Sequence, residues 1–306
     1  MTPAAYEPEL HEFAELVGSD GAIAVAGGRT RWSLGGELDS SARVVSAPSG
    51  IYEYIPDEMT ARVGAGTTVA ELHAVLADRG QRTALPERGG TVGGAVVVGE
   101  NDVCMLGRGP LRNSVLQVRY VSSEGRIVSG GGPTVKNVSG FDLPRLITGS
   151  LGTLGLLGEV TLRTNPIPAV SQWFAADFAD PLVVLDALLA PSCVLWNGHR
   201  TCVQLEGHAP DVRAEHQMLN TLAEFQEVDG PPRLPPHRWS LPPATLNKPD
   251  PGWGQFVAAI GTGLLFASQP RPPRAMNPAI AEVHRRLKEQ FDANGRLNPG
   301  RRPGSC

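Results

Sequence analysis

Three clusters of glycine in the first half of the chain constrain the fold more than any other feature of the sequence. The first is at 27–28, directly after a short apolar run, the second is GGTVGG at 89–94, and the third is GSLGTLG at 149–155. Glycine allows backbone N–H groups to converge on anionic oxygens, and it allows a flat ligand to approach the main chain. A single Gly-Gly turn could simply close a hairpin, but three clusters in one domain predict a nucleotide-like ligand.

Charge and cysteine content exclude several functional classes. The chain has 27 basic and 31 acidic residues, a net charge of −4 and no basic block, so nucleic acid is not an expected partner. The four cysteines have no metal-ligand spacing, which predicts neither a metal site nor an iron–sulfur cluster carried by this chain. We find no secretory signal and no run of roughly 18 apolar residues. We therefore expect a cytoplasmic protein, peripheral to a membrane at most through its partners.

Apolar periodicity predicts an α+β fold. Helices are expected at 7–17, 68–79 and 279–291, and strands at 22–26, 115–122 and 156–163, with further short elements between them. We expect 230–251 to be a loop or lid and 256–267 to form one last strand. Pro166 and Pro168 mark a boundary. The predicted domains are 1–168, in two subdomains divided near 84, then a smaller α+β domain at 169–269, and a C-terminal segment at 270–306 that returns to the first.

Four segments in order resemble one known family. They are VAGGRTRW, LPERGGTVGGAV, the long segment GGGPTVKNVSGFDLPRLITGSLGTLGLLGEVTLRTNPIP, and FDANGRLNPGR. These resemble the FAD-linked oxidases of the vanillyl-alcohol oxidase and p-cresol methylhydroxylase (PCMH) superfamily. Within that superfamily, KNVSGFDLPRLITGSLGTLG and the short length most resemble the short FAD-binding subunit of bacterial glycolate oxidase. The resemblance covers the first 168 residues and the last thirty or so. It implies a PCMH-type FAD-binding domain of two α+β subdomains and a smaller α+β cap domain.

The resemblance also implies which residues contact FAD. The first two loops would bind the pyrophosphate, the third segment would follow the adenosine, ribityl and ring parts, and the C-terminal segment would return to touch the cofactor. The implied residues are Ala26, Gly27, Gly28, Arg29, Thr30, Thr91, Val92, Gly93, Gly94, Lys136, Asn137, Gly140, Asp142, Gly149, Ser150, Gly152, Thr153, Gly155, Asn298 and Gly300. With no histidine or cysteine near the first loop, we expect FAD to be bound non-covalently.

Two positions depart from the family's pattern. The first loop has AGGRT where relatives commonly have three successive glycines, and Asn113 stands where an aspartate is expected. A Rossmann fold is the main alternative, but it requires GxGxxG after the first strand, which 27–28 does not fit. The UDP-N-acetylenolpyruvoylglucosamine reductases have similar length and cofactor fold, but their serine-containing motifs are not recognisable here.

No residue identifies itself as catalytic. A flavin that oxidises an alcohol needs a base for the hydroxyl proton and positive charge near its ring. The D-2-hydroxy acid oxidases of the superfamily carry a histidine-rich metal motif in the cap, and this chain has AAIGTGLLF at the corresponding place. The loop and helix histidines His199, His208, His216 and His237 are weak candidates. Arg200 is a slightly better candidate for a substrate carboxylate, although a surface ion pair explains it more simply.

Three functional hypotheses remain open. The first is an oxidoreductase subunit that acts on a small 2-hydroxy acid such as glycolate, with a homologous FAD subunit and an iron–sulfur electron-transfer subunit. The second is a stand-alone FAD oxidase of unknown substrate, and the third is a degenerate scaffold subunit without flavin. An exposed apolar patch on the cap would favour a subunit, and a closed pocket over the flavin would favour a stand-alone enzyme.

Overall fold

The computed structural model describes residues 7–132, 142–272 and 276–304. These residues fall into two compact units. The described residues of Met1–Asp102, Leu111–Pro166 and Arg274–Ser305 form the first unit, and those of Val103–Pro110 and Ile167–Pro273 form the second. The first unit thus combines the amino-terminal half with the C-terminal segment. The short piece Val103–Pro110 belongs to the second unit, although it lies within the range predicted for the FAD-binding domain.

Helices and strands alternate along the chain, as expected for an α+β fold. The helices are α1 (Glu7–Val17), α2 (Val69–Ala77), α3 (Val92–Val98), α4 (Met105–Arg108), α5 (Leu143–Ile147), α6 (Pro181–Ala187), α7 (Ala209–Leu222) and α8 (Pro278–Phe291). The strands are β1 (Ile23–Val25), β2 (Arg43–Val45), β3 (Ile51–Ile55), β4 (Thr60–Gly64), β5 (Gln81–Arg82), β6 (Val115–Val121), β7 (Ile127–Gly131), β8 (Leu156–Arg163), β9 (Asn165–Pro166), β10 (Val170–Asp177), β11 (Cys193–Trp196), β12 (Arg200–Gly207), β13 (Gln226–Val228), β14 (His237–Ser240), β15 (Phe256–Ala259) and β16 (Leu264–Ala267).

The described residues of the first unit form three sheets, one of which is the short antiparallel pair of β5 and β9. A five-stranded antiparallel sheet has the order β3-β4-β8-β6-β7, and β1 and β2 form a separate parallel pair. Strand β8 is buried almost throughout because it lies at the centre of the larger sheet. Its one charged interior side chain, Glu159, is 1% exposed and ion-pairs with Arg62 at 3.3 Å and Arg119 at 3.0 Å on the neighbouring strands. These pairs compensate the cost of a carboxylate in the core.

Helix α1 forms where its apolar residues recur at helical spacing. Leu10, Phe13, Ala14 and Val17 are buried in one hydrophobic cluster that also contains side chains of β1, β6 and β8. The side chain of Arg296 lies at the C-terminal end of this helix. Its guanidinium is buried and donates hydrogen bonds of 2.8–3.0 Å to five backbone carbonyls, those of Val17, Gly18, Asp20, Gly21 and Ser123. The C-terminal segment is thereby joined to the first helix.

The second unit is a seven-stranded antiparallel sheet with the order β13-β10-β12-β11-β15-β16-β14. Side chains alternate between its two faces. Phe174 and Ala176 pack with residues of α6 and α7 on one face, and Ala175 lies in a second cluster on the other face, with Cys104, Cys193 and Cys202. These three cysteines are buried, and they are not joined in disulfides. The sheet therefore has an apolar layer on each side.

Three segments differ from the expectation drawn from the sequence. The run 256–267 is a hairpin of β15 and β16 rather than one strand, because Gly261 and Gly263 adopt positive φ angles of 81° and 85° in its turn. The expected loop at 230–251 contains β14, which pairs with β16 and buries Trp239. The second glycine cluster is also not simply a loop, since 92–98 forms helix α3.

Among the described residues, no helix combines the length and the apolar character needed to cross a membrane.

Candidate FAD-binding site

The first glycine loop follows strand β1 and touches the second loop directly. A Cβ added to Gly28 would lie 3.1 Å from the Cα of Gly90, and one added to Gly27 would overlap the Thr91 side chain. Both residues must therefore be glycine for the two loops to pack together. The backbone N–H groups of 27–30 make no hydrogen bond to any described residue, and these residues are exposed. They form a run of donors that can bind anionic oxygens.

The second glycine cluster starts helix α3. Thr91 is its N-cap, and its Oγ1 accepts a hydrogen bond of 3.2 Å from the backbone N–H of Gly94. Gly93 must lack a side chain because a Cβ there would approach the Cβ of Ala65 to 2.7 Å. The backbone N–H groups of Val92 and Gly93 donate to Thr67 O and Ala65 O, each at 2.8 Å. The backbone donors of 92–94 are thus already paired within the protein.

The residues of the third cluster line three different cavities. Leu151 and Gly152 line the cavities beside the first two loops, whereas Gly149, Ser150 and Thr153 line a separate cavity of about 510 Å³ beside α8. The hydroxyls of this cluster make internal hydrogen bonds. Ser150 Oγ accepts one from Gly152 N–H at 3.2 Å, and Thr153 Oγ1 donates one to Ser150 O at 2.7 Å.

Asn298 connects the C-terminal segment to these loops. Its Nδ2 donates to Leu151 O at 2.7 Å, its Oδ1 accepts from Val25 N–H at 3.2 Å, and its own N–H donates to Ile23 O at 2.8 Å. Asn298 also has a positive φ of 43°, a region that asparagine adopts more readily than most residues. One side chain therefore fixes the end of β1 against the third glycine cluster.

Two adjoining cavities lie where these elements meet, with volumes of about 400 Å³ and about 90 Å³. Seven residues line both cavities: Val25, Gly27, Gly28, Thr91, Gly94, Val97 and Asn298. The larger cavity is of the size of small-molecule sites, and its wall combines apolar side chains with backbone donors. Such a wall suits FAD, because the apolar part can contact the flavin and the free N–H groups can bind the pyrophosphate. The residues present therefore fit this cofactor.

Several predicted FAD contacts lie elsewhere, and their role stays a prediction. Lys136, Asn137 and Gly140 fall outside the described residues. Asp142 is the N-cap of α5, where its carboxylate accepts a hydrogen bond of 3.1 Å from Arg145 N–H. Gly155 is required by Tyr120, whose ring a Cβ would overlap. Val92 is buried in the core, and a Cβ on Gly300 would overlap Glu37 O.

Five of the seven shared residues were predicted, whereas Val25 and Val97 were not, and some predicted residues line only one of the two cavities. Ala26 and Gly93 line the larger cavity, and Arg29 and Thr30 line the smaller one. Sequence reasoning missed further lining residues that follow β2 and β4, namely Ser46, Ala47, Ser49, Ala65, Gly66 and Thr68. The small residues in SAPSG and GAGTT were a signal that could have indicated them, since small side chains leave room for a ligand.

Three of the weak catalytic candidates of the second unit, His216, His199 and Arg200, have structural partners. His216 stacks on Phe174 at 4.0 Å, and His199 meets Phe178 edge-on at 4.1 Å. Arg200 ion-pairs with Asp177 at 3.8 Å on the surface. The described residues contain no group of His, Cys, Asp or Glu side chains that could hold a metal ion. None of these contacts assigns a catalytic base.

Comparison with known proteins defines the class of this protein. Residues 7–131 match the FAD binding domain family. Solved structures of alkyldihydroxyacetonephosphate synthase include one with a TM-score of 0.69, 14% sequence identity, and coverage of 97% of this chain and 75% of that chain. This similarity shows the shared fold. The chain is an FAD-dependent oxidoreductase with a PCMH-type FAD-binding domain, so the predicted superfamily, fold class and cofactor are confirmed.

Two proteins with similar sequences show how much of this chain each relative matches. Glycolate oxidase subunit GlcE of Escherichia coli is 24% identical over 95% of this chain and 95% of that protein. D-lactate dehydrogenase of Archaeoglobus fulgidus is 37% identical, but the match covers 36% of this chain and only 25% of the dehydrogenase. The chain is thus similar from end to end to a glycolate oxidase subunit, and it is similar to the longer dehydrogenase only in part.

Proposed function

We propose that this chain is the FAD-binding subunit of an oxidoreductase that oxidises a small 2-hydroxy acid such as glycolate. The observation that carries the proposal is the alignment with GlcE over 95% of both chains. The partial match to a D-lactate dehydrogenase supports the same substrate class, because lactate is also a 2-hydroxy acid.

In this proposal the chain contributes a dissociable FAD. FAD accepts two electrons when an alcohol is oxidised to a carbonyl compound. The loop donors at 27–30 hold its pyrophosphate, and Asn298 keeps the third glycine cluster in place beside the cavity. The described residues that line the two cavities include neither histidine nor cysteine, the usual covalent tethers. FAD released by acid precipitation would support non-covalent binding.

We further propose that the chain acts with a homologous FAD subunit and an iron–sulfur electron-transfer subunit. Helices α6 and α7 of the second unit, and the loop that follows α6, expose several large apolar side chains, namely Leu182, Val183, Leu189, Met218 and Leu222. Leu189 is 94% exposed. An apolar surface of this kind favours a subunit over a stand-alone enzyme, because water contact with these side chains is unfavourable until a partner covers them.

The test has two parts. First, the visible absorption spectrum of the purified chain is recorded with and without added FAD, followed by anaerobic addition of glycolate. We expect a flavin spectrum that glycolate does not bleach in the isolated chain, but does bleach in the complex purified from the native host. Bleaching of the isolated chain would support the stand-alone enzyme. A flavin that no 2-hydroxy acid bleaches in either form would contradict the proposal.

Second, the proposed contact surface is tested with one charge. Met218→Glu places a carboxylate on the apolar surface of α7, and Gln217→Glu places one on the adjacent exposed position as a matched control. We expect Met218→Glu to reduce recovery of the complex at unchanged FAD content, and Gln217→Glu to leave it intact. Full recovery with both variants would exclude this surface.

A further inference from the structure

Arg31 follows the first glycine loop, and its side chain lies inside the protein. It lines the smaller cavity together with Gly27, Gly28 and Thr91, and its side chain is only 9% exposed. Arginine at such a position is normally expected to reach into solvent. Its burial beside the free backbone donors of the loop therefore requires an explanation.

Three contacts fix the guanidinium. Its Nε donates to a carboxylate oxygen of Glu100, and its Nη1 donates to Gly89 O at 2.8 Å and to Thr30 Oγ1 at 2.9 Å. Its Nη2 is buried and finds no hydrogen-bond partner within the described parts of the chain. A buried donor left unpaired costs free energy, so such atoms in native proteins usually meet a ligand, an ion or a water.

The charge around Arg31 favours an anion. Glu100 is 6% exposed and also accepts a hydrogen bond of 3.0 Å from Arg88, so two guanidinium groups share one carboxylate. The group of three therefore keeps one excess positive charge. In the same cavity Trp32 is flanked by the guanidinium groups of Arg29 at 5.1 Å and Arg301 at 5.0 Å. A cavity surrounded by several guanidinium groups favours an anionic ligand.

FAD has one strongly anionic part, its pyrophosphate. In the second glycine cluster, the N–H groups of Val92, Gly93 and Gly94 are already paired within the protein and are not available to it. A charged side-chain donor would replace them. Charge-assisted hydrogen bonds to phosphate are about twice as strong as those between neutral groups.

We infer that Nη2 of Arg31 donates a charge-assisted hydrogen bond to the FAD pyrophosphate, and that Glu100 is a positioning residue that holds the guanidinium in place. This chain thereby binds the pyrophosphate through a side chain in addition to the backbone of the glycine loop. The inference rests on FAD binding and is independent of the substrate and partners proposed above.

The experiment measures FAD affinity of the ligand-free protein by fluorescence titration, with ADP as a competitor that carries the pyrophosphate but no flavin. For Arg31→Met we expect both affinities to fall about 10- to 100-fold. Arg88→Met is the matched control. It removes a charge that also binds Glu100 but is not among the cavity's described lining residues, and we expect a change of about fivefold or less. Equal losses in the two variants, or wild-type affinity in Arg31→Met, would overturn the inference.

A second measurement separates direct contact from a structural role. Arg31→Lys keeps the positive charge that pairs with Glu100, but it lacks the planar set of guanidinium N–H donors. Because the charge is kept, this variant remains informative if Arg31→Met does not fold. We expect weaker FAD binding, shifted ³¹P NMR signals of the bound pyrophosphate, and an unchanged visible flavin spectrum. Unchanged ³¹P signals with wild-type affinity would show that Arg31 does not contact the pyrophosphate.

Discussion

Replacing Gly152 by alanine tests whether chain packing or the ligand itself requires glycine in the third cluster. Gly152 has a φ of +68°, and a Cβ there would overlap Nδ2 of Asn298. That Nδ2 donates the 2.7 Å hydrogen bond to Leu151 O. Gly149 provides a matched control, because its φ is +84° but a Cβ there would meet no atom within 4 Å.

The two variants share one cost and differ in another. A non-glycine residue in the left-handed region costs about 1–2 kcal/mol, which both variants incur. Gly152→Ala also displaces the Asn298 amide and breaks a buried hydrogen bond, for about 0.5–1.5 kcal/mol more. We expect a loss of unfolding free energy of about 1.5–3.5 kcal/mol for Gly152→Ala and about 1–2 kcal/mol for Gly149→Ala.

The assay is urea denaturation of the ligand-free protein, using the transition that shifts when FAD is added. FAD affinity is measured in parallel. Because Asn298 also accepts the Val25 N–H at the cavity wall, we expect Gly152→Ala to weaken FAD binding more than Gly149→Ala does. Equal stability and equal FAD affinity in the two variants would refute the reasoning, since the contact with Asn298 would then have no measurable effect.

Three further predictions concern single contacts. Arg296→Met removes the donors to five carbonyls, so the free energy of unfolding should fall by about 3–5 kcal/mol; a loss under about 1 kcal/mol in urea denaturation would contradict this. Thr91→Val removes the N-cap of α3 and should cost about 1 kcal/mol in the same assay, whereas Thr91→Ser should restore most of it. Burial, and then the hydrogen bond to Glu9, raise the pKa of Tyr52 above its usual value. Its contribution relative to Tyr52→Phe should be fully present below the pKa of tyrosine in the unfolded chain, about 10, and decrease as the pH rises above it; a constant difference up to about pH 11 would contradict this.

The helices and central strands could be predicted because their signals are local. The apolar spacing of α1 and the capping residue of α2 lie within single turns, and both helices occur at the expected positions. Helix α3 was not predicted as a helix because Gly93 and Gly94 disfavour helices in isolation. Packing against Ala65 favours glycine there despite this propensity. The hairpin at 256–267 was missed because an apolar run does not reveal a turn made by two glycines.

Part of the candidate FAD-binding site could be predicted from the sequence. Arg31 could not, for a physical reason. Family resemblance identified Gly27, Gly28, Thr91, Gly94 and Asn298, which line both cavities. Resemblance did not identify Arg31, because a charged residue after a glycine loop looks solvent-exposed in the sequence. Its burial depends on Glu100, which lies 69 positions away, and a tertiary ion pair leaves no periodic signal.

Most glycines of the site serve contacts within the protein. Gly28 allows the approach of Gly90, Gly27 that of Thr91, and Gly152 that of Asn298. These contacts fix the cavity wall before any ligand binds, and a preformed site loses less conformational entropy on binding. The affinity for FAD then depends on donors that remain free, among them the N–H groups of 27–30 and Nη2 of Arg31. Glycine substitutions should therefore change stability and FAD affinity together, whereas Arg31→Lys, which keeps a positive charge beside Glu100, should change FAD affinity more than stability.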